Sequence, residues 1–262
     1  MTASRRTGGL GQRTCGDLDR CADLVLCDRE GLAYLIALKA AKSVTAARLE
    51  VNRGEQTWRF SADKARILDG ATLPAEAYPT GVGAMGWIRR EPLAVVVAIT
   101  LFNSPLNLTV HKLGPASAAG CPVVCMPADR TPLTALALAE LLQEADLPAG
   151  WLAILAGEGA GTRAALARHP AIVALSFAGS VPVSWQLARD AAYARVLLEL
   201  WSAGPLVAED DAAVEAVAGT IRSRTAAWGG WYHPGGVRST VRELTVIMRP
   251  TSEVWRRSGT RG

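Results

Sequence analysis

The sequence lacks any apolar run long enough to cross a lipid bilayer. Its longest, Leu93–Phe102, falls well short of the roughly 20 residues that a membrane-spanning helix needs, and it ends at Asn103. A secretory signal is also missing, because Arg5 and Arg6 are followed by glycine-rich polar sequence instead of an apolar stretch. Half of the 262 residues are hydrophobic and a fifth are charged, so we expect a globular, cytoplasmic protein with no membrane partner.

Cysteine is scarce and does not form a recognisable framework. There are five cysteines, an odd number, in a chain without an export signal, which argues against structural disulfides. Cys15, Cys21 and Cys27 recur at every sixth residue and match no paired C-x-x-C zinc site. Cys121 and Cys125 flank an apolar, strand-like segment and are expected to be buried small hydrophobic residues. We therefore predict no metal site.

A basic surface within the fold is missing as well. The formal net charge is +4, but residues 1–14 and 249–262 carry most of the excess arginine, which leaves the interior of the sequence slightly acidic. A nucleic-acid groove needs positive charge within the folded domain, interleaved with aromatic residues. The charge pattern therefore predicts no nucleic-acid partner.

The order of predicted elements indicates an α/β protein. Residues 1–20 are expected to form a flexible basic tail, and helices follow near 29–41 and 44–68, the second with Ser43 as its N-cap. From Pro92 onward, short β-branched runs that we expect to be buried strands alternate with helices. The strands are Leu93–Ile99, Pro122–Met126, Trp151–Leu155, Ala171–Phe177 and Val196–Leu200; the helices lie near 105–119, 132–145, 159–168 and 181–193, before a helix near 211–228 and a strand near 237–248. This alternation predicts a doubly wound, mostly parallel sheet whose ligand binds at the carboxyl ends of the strands.

Short motifs stand where these strands begin or end, although none is the G-x-G-x-x-G of a standard Rossmann fold. They are Glu91-Pro92-Leu93, Phe102–Leu108 (F-N-S-P-L-N-L), Met126–Thr134 (M-P-A-D-R-T-P-L-T), Ser176–Val183 (S-F-A-G-S-V-P-V), Leu198-Glu199-Leu200 and Gly235–Arg238 (G-G-V-R). In this order and at these spacings they resemble the aldehyde dehydrogenase superfamily, from about residue 29 to about residue 255.

The resemblance implies an NAD(P)-binding domain over residues 21–230 and the start of a catalytic domain over residues 231–262. Members of this superfamily oxidise an aldehyde with NAD or NADP, so a small aldehyde is the implied partner. A cysteine thiolate adds to the carbonyl, hydride leaves for the nicotinamide, and a glutamate activates the water that hydrolyses the thioester. An asparagine amide stabilises the oxyanion.

Three positions match the catalytic residues of the family. Asn103 matches the oxyanion asparagine, although asparagine is also common in a turn ahead of a helix. Glu199 matches the general base, but Trp201-Ser202 replace the two glycines that follow it and are expected to crowd the nicotinamide. Arg238 stands at the position of the nucleophilic cysteine, where a guanidinium has no lone pair for carbonyl attack. It is either a drifted position or a clamp for an anionic substrate.

Five positions match cofactor contacts of the family. Phe102 opens the motif of the oxyanion asparagine, and Gly179-Ser180 match the pyrophosphate contact at the start of a helix. Met126 replaces a ribose-binding lysine, and Asp129 matches an acidic position that holds ribose hydroxyls in NAD-preferring members. The resemblance thus implies an NAD or NADP site of which only part is kept.

The sequence stops soon after the position of the nucleophile, so we expect a truncated member without cysteine-dependent activity. The segment near Gly86 to Arg90 resembles an arm that pairs with a C-terminal strand missing here, and we expect it to be an unpaired edge. Two alternatives stay open. One is an enzyme using Glu199, Asn103 and Arg238 without covalent catalysis. The other is a non-catalytic cofactor- or partner-binding module, as a homo-oligomer or with a full-length homologue.

Overall fold

The computed structural model describes residues 10–145, 147–157, 159–191 and 193–200, with residues 213, 215–217, 219, 238–241 and 244–247; for residues 10–13, 238–241 and 244–247 it describes the backbone. A five-stranded sheet in the order β5-β4-β3-β6-β7 organises the main part. Its strands are β3 (Val95–Ile99), β4 (Val123–Met126), β5 (Leu152–Ile154), β6 (Ile172–Gly179) and β7 (Arg195–Leu200). All four neighbouring pairs are parallel, which confirms the predicted α/β fold.

Four helices connect these strands, as the alternation predicts. They are α4 (Pro105–Ala118), α5 (Pro132–Gln143), α6 (Gly159–Arg168) and α7 (Val181–Asp190). Three of them, α4, α5 and α7, carry proline at the first or second position, where its missing N–H leaves no helical hydrogen bond unmade. The chain runs outward from β3 through β4 to β5 and then returns to the other side of β3 for β6 and β7, so the sheet is doubly wound.

Three N-terminal helices, α1 (Leu10–Cys27), α2 (Arg29–Ala40) and α3 (Val44–Arg66), pack on α4 and α5 over one face of the sheet. Ser43 caps α3 as predicted, because its Oγ accepts the Ala46 N–H at 3.2 Å. Among the described residues, no helix is long and apolar enough to cross a membrane.

The expected flexible tail over residues 1–20 is wrong from Leu10 onward, where α1 begins. Cys15, Leu18, Ala22 and Val25 recur at helical spacing and are buried in the core. The polar residues between these positions conceal that stripe in the sequence. Ion pairs between the outer faces of α1 and α3 support the packing, among them Arg59 with Asp23 and Arg66 with Asp19.

Residues 71–88 form a separate small ribbon rather than a lone edge. Strand β1 (Ala71–Leu73) pairs antiparallel with β2 (Gly86–Ile88), so the expectation of an unpaired edge near Gly86 is wrong on that side of the strand. Its outward side chains are exposed, with Trp87 at 67%.

Two expectations for later strands need correction. Strand β7 is not buried, because it pairs only with β6 in this sheet and leaves Leu197 62% exposed. The single strand expected near 237–248 is instead a hairpin of β8 (Arg238–Val241) and β9 (Leu244–Ile247), two short β-branched runs that read as one in the sequence. Of the helix expected near 211–228, positions 215–217 and 219 are helical and position 213 is not; the rest lies outside the described residues, as do Trp201 and Ser202.

Candidate functional site

The carboxyl ends of the parallel strands form the edge at which the sequence-predicted site residues gather. Ile99 of β3 is in register with Met126 of β4 and with Phe177 of β6. The direction of winding reverses between β3 and β6, so the segments that follow these two strands lie at the usual ligand position of a doubly wound sheet. Phe102 and Asn103 follow β3, and Ser180 follows β6.

Asn103 lies in the connection between β3 and α4 and is half-buried. Its Oδ1 is shielded from solvent and accepts no hydrogen bond from any described residue. An orphaned buried acceptor costs about 1–3 kcal/mol unless a water or a ligand group donates to it. The structure thus places this amide at the sheet edge without a structural partner for its oxygen.

Glu199 lies near the end of β7, opposite Ala178 of β6, and its side chain is 59% exposed. Its Oε2 is 3.5 Å from Nζ of Lys112, a residue of α4 whose side chain is only 4% exposed. The same ammonium donates a hydrogen bond to Ser176 Oγ at 3.2 Å. The carboxylate is therefore reachable from solvent on one side and held by a buried cation on the other.

Lys112 is the site residue that sequence reasoning missed. Burial lowers the pKa of its ammonium below the ordinary value, while Glu199 acts in the opposite direction. Burial likewise lowers the pKa of the neighbouring His111. A signal was present in the sequence, because Lys112 follows Leu108 by four residues and so shares its buried helical face. A lysine at such a position needs a charged or polar partner.

The predicted cofactor residues split into a packed and an open group. Met126 is 1% exposed and belongs to the apolar core around Phe177, so it keeps the strand packed and offers no hydrogen-bond donor. The Phe102 ring lies beneath the Arg130 guanidinium, 5.5 Å from its centroid, in a cation–π contact. Asp129, next to Arg130, is exposed.

Gly159, the first residue of α6, lies close to the exposed Asp129. A Cβ at this position would come within 2.9 Å of Asp129 Oδ2 and would overlap the Arg163 guanidinium. The glycine thus lets an acidic and a basic side chain approach the helix start together. Such a cradle has the polar groups that a ribose hydroxyl requires.

Gly179 and Ser180 form the end of β6 and the start of α7. A Cβ on Gly179 would overlap the Phe177 ring, so only glycine allows this tight approach. Ser180 is the N-cap of α7 but makes no side-chain capping hydrogen bond, and Pro182 has no N–H. The Ser184 N–H donates to the Ser180 carbonyl at 3.0 Å, so the N–H groups of Val181 and Val183 are the ones in place to bind a phosphate.

Residues 12–241 match the family described as the aldehyde dehydrogenase family. The chain belongs to the aldehyde dehydrogenase family.

Relatives from several organisms agree with that assignment. The 3-sulfolactaldehyde dehydrogenase of Priestia aryabhattai is 38% identical over 208 residues, which are 79% of this chain and 44% of that protein. The crystal structure of an E. coli NADP dependent enzyme superposes with a TM-score of 0.79 at 31% identity, covering 86% of this chain and 46% of that one. The NAD+ complex of an aldehyde dehydrogenase from Bacillus cereus gives a TM-score of 0.77 at 30% identity, covering 85% and 45%. The chain spans about half the length of the curated relatives it matches.

The aldehyde dehydrogenase roles of Asn103, Glu199 and the cofactor residues stay predictions, although the described residues are compatible with them. The Gly159 cradle and the uncapped first turn of α7 fit a dinucleotide at the carboxyl edge. Arg238 begins β8, where its backbone pairs with Ile247, and its side chain lies outside the described residues.

Proposed function

We propose that this chain is a nicotinamide-dinucleotide-binding member of the aldehyde dehydrogenase family without cysteine-dependent aldehyde oxidation. The observation that carries the proposal is that some residues of the family's active site are kept and its nucleophile is not. The carboxyl edge retains Asn103, Ser180 and a Lys112-paired Glu199, whereas the nucleophile position holds Arg238. A guanidinium stays protonated and cannot attack a carbonyl, so no thioester forms for Glu199 to help hydrolyse.

The dinucleotide would be held at two places along the edge. The first turn of α7 after Ser180 would bind the pyrophosphate, and Asp129 beside Gly159 would accept hydrogen bonds from the ribose. The Asp129 carboxylate repels the 2′-phosphate of NADP, and we propose NAD as the preferred cofactor, with Arg163 in the same cradle reducing the size of that preference. When bound, the nicotinamide supplies a hydride acceptor.

Titration calorimetry of the purified chain with NAD and NADP tests the binding. We expect NAD to bind and Asp129→Asn to narrow the preference over NADP, because it removes the repulsion while keeping the size of the side chain. Glu144→Asn is a control at an exposed position just beyond α5. A wild-type chain that binds neither dinucleotide would sink the proposal.

The loss of chemistry is tested separately with a panel of aldehydes and NADH absorbance. We expect the wild-type chain to form no NADH with any aldehyde of the panel, so substitution of Asn103 or Glu199 should change nothing. The variant Arg238→Cys restores a cysteine at the nucleophile position. It tests whether the natural arginine alone accounts for the absence of aldehyde oxidation. Wild-type turnover abolished by Glu199→Ala would refute the proposal.

A second candidate is non-covalent chemistry on an acidic aldehyde, with Glu199 as the base. The exposure of its carboxylate, beside a buried cation that fixes its place, favours this candidate. Arg238 would then bind the acidic group of the substrate. Relatives named for 3-sulfolactaldehyde, aspartate semialdehyde and sulfoacetaldehyde set the panel to test. Turnover of such a substrate lost in both Glu199→Gln and Arg238→Gln would favour it over simple binding.

Partners and location complete the proposal. We propose a cytoplasmic protein that binds a small aldehyde if it is active and that forms a homo-oligomer or pairs with a full-length homologue. Sedimentation velocity with and without such a homologue separates these states.

A further inference from the structure

The N-terminus of α4 is capped by a side chain from another helix. Ser104 occupies the N-cap position but makes no side-chain capping hydrogen bond, and Pro105 has no N–H to offer. The backbone N–H groups of Leu106 and Asn107 instead both donate to Glu50 Oε1, at 2.9 and 3.2 Å. Glu50 lies within α3, and a carboxylate at this end of a helix also interacts favourably with its dipole.

Lys42 holds the same carboxylate from the opposite side. Its Nζ donates to Glu50 Oε2 at 2.5 Å and to Ser104 Oγ at 3.1 Å. Both side chains of this ion pair are only 4% exposed. A buried pair is expensive unless its remaining atoms are hydrogen-bonded. Here the serine hydroxyl and the α4 amides supply those bonds, so one network joins the α2–α3 connection, α3 and the start of α4.

This network ends next to the candidate oxyanion amide. Ser104 directly follows Asn103, and the Asn103 oxygen has no hydrogen-bond partner of its own among the described residues. The position of this side chain depends on the backbone of the connection between β3 and α4. That backbone is fixed on its C-terminal side by Lys42 through Ser104 and by Glu50 through the α4 amides.

We propose that Lys42 and Glu50 are positioning residues for Asn103. Their buried pair sets the connection between β3 and α4 so that the Asn103 amide faces the ligand at the carboxyl edge of the sheet. The identity of that ligand rests on the proposed function. The order of the connection does not, and it can be measured on the free chain.

The first experiment measures amide hydrogen exchange by NMR in the ligand-free wild type and in Glu50→Gln. We expect exchange at Leu106 and Asn107 to accelerate by about tenfold or more, as for a lost charge-assisted hydrogen bond, while Val97 in β3 changes far less. Glu55→Gln, on the same helix in a surface pair with Arg59, is the matched control and should leave both regions unchanged. Equal acceleration at the α4 start and in β3 would overturn the proposal.

Two further variants keep the test decisive if Glu50→Gln does not fold. Ser104→Ala removes only the hydroxyl that Lys42 binds, and Lys42→Met together with Glu50→Gln removes both charges while keeping an amide oxygen to cap α4. We expect Ser104→Ala to loosen the connection alone and the double variant to recover protection at Leu106. Unchanged exchange in Ser104→Ala would count against the proposal.

The second experiment asks whether the pair acts through Asn103. Dinucleotide dissociation constants are measured for Asn103→Ala and Ser104→Ala, singly and combined. If the network positions Asn103, the fold-loss of dinucleotide affinity in the double variant should be smaller than the product of the two single fold-losses by about threefold or more, as for coupled neighbours. Independent effects would overturn it. If the wild type binds no dinucleotide, the proposed function fails and the exchange result alone decides the positioning role.

Discussion

The two faces of the sheet are covered by helical layers of different thickness. Alternate residues of β3 point to opposite faces: Ala98 joins the core beneath α1–α5, and Val97 and Ile99 join the core beneath α6 and α7. The first core, the helical-face core, contains fully buried Leu18, Ile36, Trp58, Leu106 and Leu138. The second, the open-face core, borders on strand β7, much of which is exposed. One half of the domain is therefore thick and the other thin.

The difference teaches how the candidate site is supported. Asn103 stands on a connection tied into the helical-face core, whereas Glu199 stands on the exposed strand β7. Lys112 contacts both later strands, because it belongs to α4 and reaches Ser176 of β6 and Glu199 of β7 on the helical face of the sheet. The amide is placed by packing and the carboxylate by a single buried cation.

The largest effect is expected from Trp58→Ala in the helical-face core. Trp58 is fully buried, so its truncation should lower the free energy of unfolding by about 3–5 kcal/mol. Leu197→Ala on β7 is the contrast, because 62% of that residue is already exposed and the change should fall within about 0.5 kcal/mol. Urea unfolding measures both. Comparable losses in the two variants would mean that the side chains of β7 are as well packed as the helical-face core.

A smaller effect is expected at the end of β6. Gly179→Ala places a methyl group against the Phe177 ring in the open-face core, and we expect a loss of about 1–3 kcal/mol from overpacking. Gly161→Ala in α6 meets nothing within 4 Å and should stabilise the chain by about 0.5–1 kcal/mol through helix propensity. Thermal unfolding compares them. A Gly179→Ala variant of unchanged stability would show that the open-face core adjusts to the extra methyl group.

The elements of the sheet could be predicted from the sequence, and their surroundings only in part. Strands β3 to β7 and the helices between them follow from β-branched runs and proline starts, which are local signals. The exposure of β7 depends on its place at the edge of the sheet, and that is a property of topology. Helix α1 was missed because polar residues between its buried positions conceal the apolar stripe.

The candidate site shows the same division. Asn103, Glu199 and Ser180 are carried by motifs contiguous in sequence, so the family resemblance finds them. Lys42, Glu50 and Lys112 act through contacts between separate elements, 8 residues apart for the ion pair and 56 for the helix cap. No local pattern records such pairings, although a lysine on a buried helical face is a usable signal.

The contact of Lys112 with β6 and β7 is tested by Lys112→Met. Near neutral pH we expect a stability change within about 1 kcal/mol, since an isosteric apolar side chain removes a buried charge along with its hydrogen bonds. The pH dependence is more telling. The folded-state pKa of Lys112 lies below its ordinary value of 10.5, so the unfolded chain binds more protons in that window and wild-type stability rises with pH relative to the variant. Guanidinium unfolding at several alkaline pH values measures this, and a parallel pair of curves would contradict it.

The smallest perturbation is thiol labelling, whose rate measures how readily each core opens to solvent. Burial raises the pKa of Cys21 and of Cys125 to about 12, so almost no thiolate forms in the folded chain at pH 8. Cys27 is exposed at the end of α1 and should be labelled first by a thiol-specific reagent, a phase that Cys27→Ser removes. A new thiol from Ser184→Cys, a fully buried position on α7, then reports on the thin half.

In the Cys27→Ser background we expect the Ser184→Cys thiol to react before Cys21 and Cys125, because α7 is covered by fewer elements than α1. The raised thiol pKa values also imply that stability falls between pH 9 and pH 12, where the unfolded chain loses these protons first. Unfolding in urea should make every thiol reactive, which controls for reagent access. If Cys21 is labelled as fast as the new thiol, the helical layer opens as readily as α7. The thick half would then provide no firmer base for Asn103 than the thin half does for Glu199.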